Sequence, residues 1–242
     1  MRLSSAPTSL IFERHIMIGK YITEFIGTFF LVFTIALAVQ LENAAIVAPI
    51  TIGSVLMLMV YMGGHISGAH YNPAVTLGVF LRGKCSWLDV IPYWACQVGG
   101  ALVATMAANW LTGTMLLPAP GEGIEVTKAV FNEAIFTFAL VLVVLNVATS
   151  PKTDGNSFYG LAIGFTVLVA AFVGGAISGG AYNPAVGLGP ILANLLSGSE
   201  ESISHFWIYL AGPFAGAIVA SITYHIQHFG EFGFSKDAEN AS

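Results

Sequence analysis

Six long apolar stretches dominate the pattern of hydrophobic and polar positions along the chain. Each is close to the ~20 residues that a helix needs to cross the hydrocarbon core of a bilayer. Polar residues concentrate in the segments between them, such as 80–87 and 150–157. The pattern therefore predicts six membrane-spanning helices, at about 19–40, 45–63, 88–111, 129–149, 158–175 and 205–228.

The composition indicates the same class of protein. Of the 242 residues, 56% are hydrophobic and 9% are charged, whereas a soluble domain has roughly 25% charged residues. The net charge of −5 and the few basic residues argue against nucleic-acid binding. Cys85 and Cys96 have no CxxC partner, so we interpret them as buried thiols and expect neither a disulfide nor a metal site.

The chain contains two copies of one three-span unit, and three pairs of segments carry the likeness. The paired segments are GGHISGAHYNPAVTLG (63–78) with GGAISGGAYNPAVGLGP (174–190), ITEFIGTFFLVF (22–33) with FNEAIFTFALVL (131–142), and PYWACQVGGALVA (92–104) with IYLAGPFAGAIVA (208–220). Because three is an odd number, the second copy enters the membrane from the opposite side. Such an inverted repeat places a shared pathway near the midplane, between the two halves.

The repeats define the predicted organisation. The first covers 19–111 with an Asn-Pro-Ala loop at 63–80, and the second covers 129–228 with a loop at 174–193. The other segments are an N-terminal tail (1–18), an inter-repeat loop (112–128) and a polar C-terminal tail (229–242). Because Met17 opens an apolar segment, we treat residues 1–16 as a loose tail or an over-extended start and leave them out of the fold.

Both Asn-Pro-Ala loops are predicted to enter the membrane and return on the same side. They are apolar, yet too short and too rich in Gly to cross it as further helices. Non-helical backbone at that depth is tolerated only where protein buries it or where it lines a water-filled cavity. Pro suits the first turn of a helix and Asn suits the N-cap before it. We therefore predict an all-α membrane protein with six spans and two re-entrant half-helices, which begin at Pro73 and Pro184.

These half-helices give the loops a chemical role. Each N-terminus carries roughly half a positive charge, so two that meet at the midplane would repel cations. The side-chain amides of the two Asn residues would offer hydrogen-bond donors to a passing neutral molecule. A single Asn-Pro is usually only a turn, but two copies in mirrored positions indicate a pore. Its motif residues are Asn72, Pro73, Ala74, Asn183, Pro184 and Ala185.

The doubled motif, the two Glu-containing spans and FWIYLAGPFAGA (206–217) resemble the aquaporin, or major intrinsic protein, family over residues 19–228. The resemblance implies a homotetramer of separate pores that pass water or small uncharged solutes. It also implies that Glu24 and Glu133 brace the re-entrant loops by accepting backbone N–H bonds, in preference to relaying protons. We expect His65 to help brace the first loop. His70 is expected to face the cytoplasmic vestibule, where it is a loop brace or, less favoured, a pH gate.

The sequence departs from the family at the constriction. Most of its water channels place an Arg directly after the second Asn-Pro-Ala, where this chain has Val186. The family's spacing puts the other filter positions at Ile52, Ala171 and Gly180. Without the Arg, the filter is expected to be wider and less polar, so ammonia, urea, hydrogen peroxide and small polyols are candidate solutes beside water. Gly187 stands where glycerol facilitators typically have Asp, which disfavours a dedicated glycerol channel but leaves a glycerol or small-solute facilitator as the alternative.

The distribution of basic residues predicts the orientation. With both termini in the cytoplasm, seven of the eight Lys and Arg residues lie inside and only Lys128 lies outside. We therefore expect a multi-pass protein of the cell membrane, surrounded by lipid. The small-residue pairs Gly100/Ala104 and Gly212/Gly216 are predicted to pack the two halves together.

Other classes of protein fit less well. An ion-coupled transporter should have further carboxylates near the midplane, and an intramembrane enzyme should have a catalytic motif such as H-E-x-x-H; the sequence has neither. No enzymatic activity, cofactor or metal is therefore expected. A closed or structural membrane protein of the same fold remains a less favoured alternative.

Overall fold

The computed structural model describes residues 8–41, 47–199 and 204–229, with side chains from residue 15 onward. Six helices in this part of the chain are long and apolar enough to cross a membrane, and α3 and α7 are shorter. The prediction of an all-helical protein with six membrane-length helices is confirmed. The helices are α1 (Thr8–Gln40), α2 (Ala48–Ser67), α3 (Pro73–Leu81), α4 (Trp87–Thr112), α5 (Val126–Ala148), α6 (Tyr159–Ser178), α7 (Pro184–Leu196) and α8 (Ile208–Gln227), with a 3₁₀ turn at Pro151–Thr153.

Two helix ends differ from the prediction. Helix α1 begins at Thr8, so residues 8–18 belong to this helix, and its part with the length and composition of a membrane span begins at His15. Helix α7 continues to Leu196, three residues beyond the predicted end of its loop, and it contains Pro190. The outer parts of the predicted tails, 1–7 and 230–242, lie outside the described residues.

Contacts between helix ends define two faces of the molecule. Lys20, early in the span His15–Gln40 of α1, pairs at 3.6 Å with Asp89 near the start of α4, and Gln40 binds Asn109 near the far ends of both helices, at 3.0 Å. Since successive spans alternate in direction, α8 ends on the face where α1 begins. We call this the terminal face and the other the opposite face. Helices α3 and α7 begin in the interior; α3 runs to the terminal face and α7 to the opposite face.

Glycines allow the closest helix crossings, and those at Gly100 and Gly216 lie within the halves and not between them. A Cβ on Gly100 would lie 2.4 Å from the Phe25 carbonyl oxygen, and one on Gly216 would lie 2.3 Å from that of Ala134. These contacts join α1 to α4 and α5 to α8, so the prediction that these two glycines pack the halves together is wrong. The halves meet elsewhere, for example where a Cβ on Gly164 would lie 2.5 Å from the Gly53 carbonyl oxygen.

Candidate functional site: the two re-entrant loops and the central cavity

Each half-helix begins with the same cap. Asn72 and Asn183 have extended backbones, and their Oδ1 atoms accept hydrogen bonds from the backbone N–H of Ala74 (2.8 Å) and Ala185 (2.9 Å). A proline follows each Asn at the first helical position, where no N–H is needed. Short-range preferences of the Asn-Pro-Ala sequence therefore account for the start of each half-helix.

The same two side chains also join the loops to each other. Asn72 Nδ2 donates to the Tyr182 carbonyl and Asn183 Nδ2 donates to the Tyr71 carbonyl, both at 2.9 Å. An amide group has two N–H bonds, and within the described residues the second has no further acceptor. Both Asn residues line the central cavity. Each can thus offer one N–H to a solute while the other holds the loops together.

The carboxylate of Glu24 lies behind the first loop and is fully buried. Its Oε1 accepts from Ser67 Oγ (2.7 Å) and from the backbone N–H of His70 (2.9 Å). Its Oε2 accepts from the backbone N–H of Tyr71 (2.7 Å) and from Gln97 Nε2 (2.9 Å). A carboxylate has about four acceptor positions, so this arrangement uses all of them.

Glu133 occupies the equivalent place behind the second loop. Its Oε1 accepts from Ser178 Oγ (2.6 Å) and from the Ala181 N–H (3.0 Å), and its Oε2 accepts from the Tyr182 N–H (2.5 Å). Charge-assisted hydrogen bonds of this kind are about twice as strong as neutral ones. They hold backbone N–H groups that no helix or strand satisfies.

The two histidines near the first loop do not occupy the expected places. His65 is exposed and makes no hydrogen bond to the described part of the loop, so the expectation that it braces the loop is corrected. Helix α2 continues to Ser67, and His65 therefore projects from the last helical turn. It lines a wider cavity of about 680 Å³ at the terminal face, which we call the terminal vestibule. His70 is buried, at 7% exposure, and lines the central cavity.

Four tyrosines support the loops and were missed by sequence reasoning. Tyr71 and Tyr182 have positive φ angles of 49° and 50°, a region that costs a bulky residue of order 1 kcal/mol or more. Their hydroxyls donate to backbone carbonyls of α2 and α6, at 2.9 and 3.0 Å. Tyr93 and Tyr209 donate to the carbonyls of Ser67 and Ser178, both at 2.7 Å. The sequence does contain a hint of this role, because the four tyrosines occupy matching positions in the two repeats.

The central cavity between the halves is narrow and mostly apolar. The volume open to the centre of a water-sized sphere is about 30 Å³, and one water needs roughly 10–15 Å³ by this measure. Only a few waters therefore fit at once. The aliphatic side chains of its wall belong to Leu31, Ile35, Ile52, Leu56, Val75, Leu140, Val144, Ile163, Val167 and Val186.

Three of the four predicted filter residues line this cavity, namely Ile52, Gly180 and Val186. Ala171 is half-buried but does not line it. Val167, one helical turn earlier on α6, does so instead, because residues four apart lie on the same face of a helix.

Comparisons with known proteins agree with this geometry. The family model described as major intrinsic protein matches residues 12–224. Aquaporin NIP1-1 of Oryza sativa subsp. japonica is 39% identical over 88% of this chain and 75% of its own length. Glycerol uptake facilitator protein-like 6 of Lactiplantibacillus plantarum is 36% identical over 84% of this chain and 94% of its own. The aquaglyceroporin structure from Plasmodium falciparum superposes with a TM-score of 0.78 at 26% identity, covering 86% of this chain and 95% of that one.

Proposed function

Because this chain belongs to the major intrinsic protein family, whose members are membrane channels and not enzymes, we propose that its central cavity conducts water and other small uncharged solutes down their gradients. One observation carries the proposal. The N-termini of two half-helices meet beside the cavity, where Asn72 and Asn183 each bridge them with one N–H and both side chains line the cavity.

Electrostatics favour neutral solutes at this point. Both helix N-termini present positive partial charge, so a cation meets repulsion from two sides of a narrow, water-poor cavity. A neutral molecule can instead accept hydrogen bonds from the two Asn amides. Proton exclusion then rests on the half-helices, since Val186 supplies no charge.

The proposed filter is formed by Ile52, Gly180 and Val186, with Ala171 or its neighbour Val167 on α6. Aliphatic walls bind water weakly and do not reject slightly larger neutral molecules by charge. Water is the principal solute we propose, and ammonia, urea, hydrogen peroxide and small polyols are the further candidates.

A glycerol facilitator is the second candidate, and the names of two similar proteins favour it. One contact in the structure argues against it. A Cβ on Gly187 would lie 2.3 Å from Cβ of Tyr209, so this position has no room for the Asp that is typical of glycerol facilitators. We therefore place water and smaller solutes ahead of glycerol.

We further propose that the chain forms a homotetramer in the cell membrane with both termini in the cytoplasm. In the described residues, Lys20, Arg82, Lys84 and Lys152 lie toward the terminal face, whereas Lys128 lies toward the opposite face. This bias favours a cytoplasmic terminal face.

Stopped-flow light scattering on liposomes that contain the purified protein tests the proposal. Val186→Trp should block the cavity, while Val173→Trp, at a position on the outer surface of α6 that is 61% exposed, is the matched control. We expect fast osmotic shrinkage for the wild type and the control, and slow shrinkage for Val186→Trp. Repeating the assay with urea and glycerol gradients ranks the solutes. Shrinkage at the rate of protein-free liposomes for every solute would support the closed or structural alternative.

A further inference from the structure

The polar groups around the first re-entrant loop form a chain that the second loop lacks. Glu24, Gln97, Thr76 and His70 are linked in that order by distances of 2.9, 2.9 and 3.2 Å. His70 ends the chain in the wall of the central cavity. The order of donors and acceptors along it decides which nitrogen of His70 carries the proton.

The first link is determined by the carboxylate. Oxygens of Glu24 can only accept, so the atom of Gln97 that faces Oε2 at 2.9 Å must be Nε2. The amide oxygen of Gln97 then points away, and it has no hydrogen-bond partner among the described residues. Gln97 therefore donates its second N–H to Thr76 Oγ1, at 2.9 Å.

The second link depends on the hydroxyl of Thr76. This group has one hydrogen and two acceptor positions, and Gln97 uses one of the acceptors. The hydrogen can go to the Asn72 carbonyl, at 3.1 Å, and Thr76 Oγ1 then accepts from His70 Nδ1–H, at 3.2 Å. Alternatively, it can go to His70 Nδ1, and the bond from the hydroxyl to Asn72 is lost. The first arrangement makes one more hydrogen bond in a buried site, where each is worth more than in water.

We propose that Thr76 and Gln97 are positioning residues that hold His70 in the neutral Nδ1–H form, so that Nε2 is a hydrogen-bond acceptor for the solute. Nε2 has no partner among the described residues, and it lies beside Gly68, where an added Cβ would approach it to 3.2 Å. Gly68 lines the terminal vestibule, which places Nε2 where the vestibule meets the central cavity.

This proposal rests on the proposed channel function and narrows its solute class. Asn72 and Asn183 supply donors at the midplane, whereas His70 supplies an acceptor toward the terminal face. A solute that satisfies both in turn must accept and also donate hydrogen bonds. The class is therefore small neutral molecules that carry at least one O–H or N–H, as water, ammonia, urea and polyols do.

Nitrogen-15 solid-state NMR of histidine-labelled protein in liposomes, at a pH where imidazole is neutral, tests the assignment directly. The His70→Gln spectrum identifies the His70 signals by difference. We expect a protonated Nδ1 and an unprotonated Nε2 in the wild type and in Thr76→Ser, which keeps the hydroxyl. Thr76→Val should move the proton, in part or fully, to Nε2. A protonated Nε2 in the wild type would overturn the proposal.

Water and urea flux through the same liposomes supplies the second readout. Thr76→Val should lower both permeabilities about fivefold, the value of roughly one hydrogen bond, while Thr76→Ser stays close to the wild type. Unchanged flux in Thr76→Val despite a moved proton would overturn the role of Nε2 as a solute acceptor. A wild type without flux would instead contradict the channel function, and the NMR result would still decide the proton's position.

Discussion

The two re-entrant loops have the same backbone conformation but differ in their side chains. Tyr71 and Tyr182 have nearly equal φ angles, and their carbonyls accept crossed hydrogen bonds of equal length from the opposite Asn. Where the first loop has His70 and Thr76, the second has Ala181 and Gly187, and Gln97 of α4 is matched by Pro213 of α8. The residues common to both loops thus build the half-helices, and those that differ give one half of the cavity its polar chemistry.

The second loop has a different support in place of the polar chain. Asn132 Nδ2 lies 3.0 Å from the Gly174 carbonyl, 2.8 Å from Ser178 Oγ and 3.2 Å from the Tyr182 hydroxyl. These bonds lie behind the loop, and Asn132 does not line the central cavity. The second loop is therefore held by polar contacts on its outer side, and Asn183 is the counterpart of Asn72 in the cavity wall, whereas Ala181 stands where the first loop has His70.

Substitution of the bracing carboxylates Glu24 and Glu133 should lower the stability of the protein the most, and by different amounts in the two loops. Glu24→Gln and Glu133→Gln replace one carboxylate oxygen by an NH₂ group that cannot accept, and each should lower the free energy of unfolding by about 1–3 kcal/mol for every buried donor left without an acceptor. Glu24→Gln should cost more, because the amide nitrogen leaves two donors without an acceptor in Glu24→Gln but only one in Glu133→Gln when the amide oxygen keeps the Oε1 side. Thermal unfolding in detergent measures this, with the exposed Glu125→Gln as control. Equal stability of Glu24→Gln and wild type would contradict the bracing role.

The next largest loss of stability is expected when Gly187 of the second loop is replaced by threonine, the residue at the equivalent position 76 of the first loop. In Gly187→Thr the new Cβ would meet Tyr209 Cβ at 2.3 Å, and overpacking of this kind costs roughly 1–3 kcal/mol. Gly19→Thr is the control, since nothing lies within 4 Å of a Cβ there. Unfolding temperatures of the two variants would be compared; a Gly187→Thr protein as stable as Gly19→Thr would show that α7 and α8 can move apart.

Replacing Ala181 of the second loop by histidine, the residue at the equivalent position 70 of the first loop, should mainly reduce water permeability and affect stability less. Ala181 lines the central cavity, and Ala181→His would place an imidazole there without the hydroxyl that holds His70. Because only about 30 Å³ is open to water, we expect water permeability to fall several-fold. Ala176→His, at an exposed position of α6, should leave it unchanged. Unaltered permeability of Ala181→His would mean that this residue does not border the solute's path.

The smallest expected difference in stability is between the variants that lack the hydroxyl of Tyr71 or of Tyr182. Tyr71→Phe removes one hydrogen bond, to the Met59 carbonyl, whereas Tyr182→Phe also leaves Asn132 Nδ2 with one partner fewer. At about 1 kcal/mol for a net hydrogen bond, Tyr182→Phe should be the less stable of the two. Urea unfolding measures the difference, and Tyr159→Phe is the control. The reverse order would indicate that Asn132 does not support the second loop.

The sequence by itself determined the features that depend on nearby residues. Runs of apolar residues as long as the bilayer is thick predict six membrane-spanning helices, and the described residues contain six helices of that length. Asn-Pro-Ala caps and starts a helix through contacts within three residues, which is why α3 begins at Pro73 and α7 at Pro184. The likeness of the two halves also follows from the sequence, because matching segments fold alike.

Only the tertiary structure decided which side chains meet. Gly100 and Gly216 pack within a half, and the central cavity is lined by His70 and not His65, and by Val167 and not Ala171. Each of these outcomes depends on the rotation of one helix against another. That rotation results from the packing of segments up to 110 or so residues apart, as in the bond from Asn72 to Tyr182. A pattern read along one segment carries no information about it, and so the donors and acceptors around the solute's path emerged only once both halves had packed together.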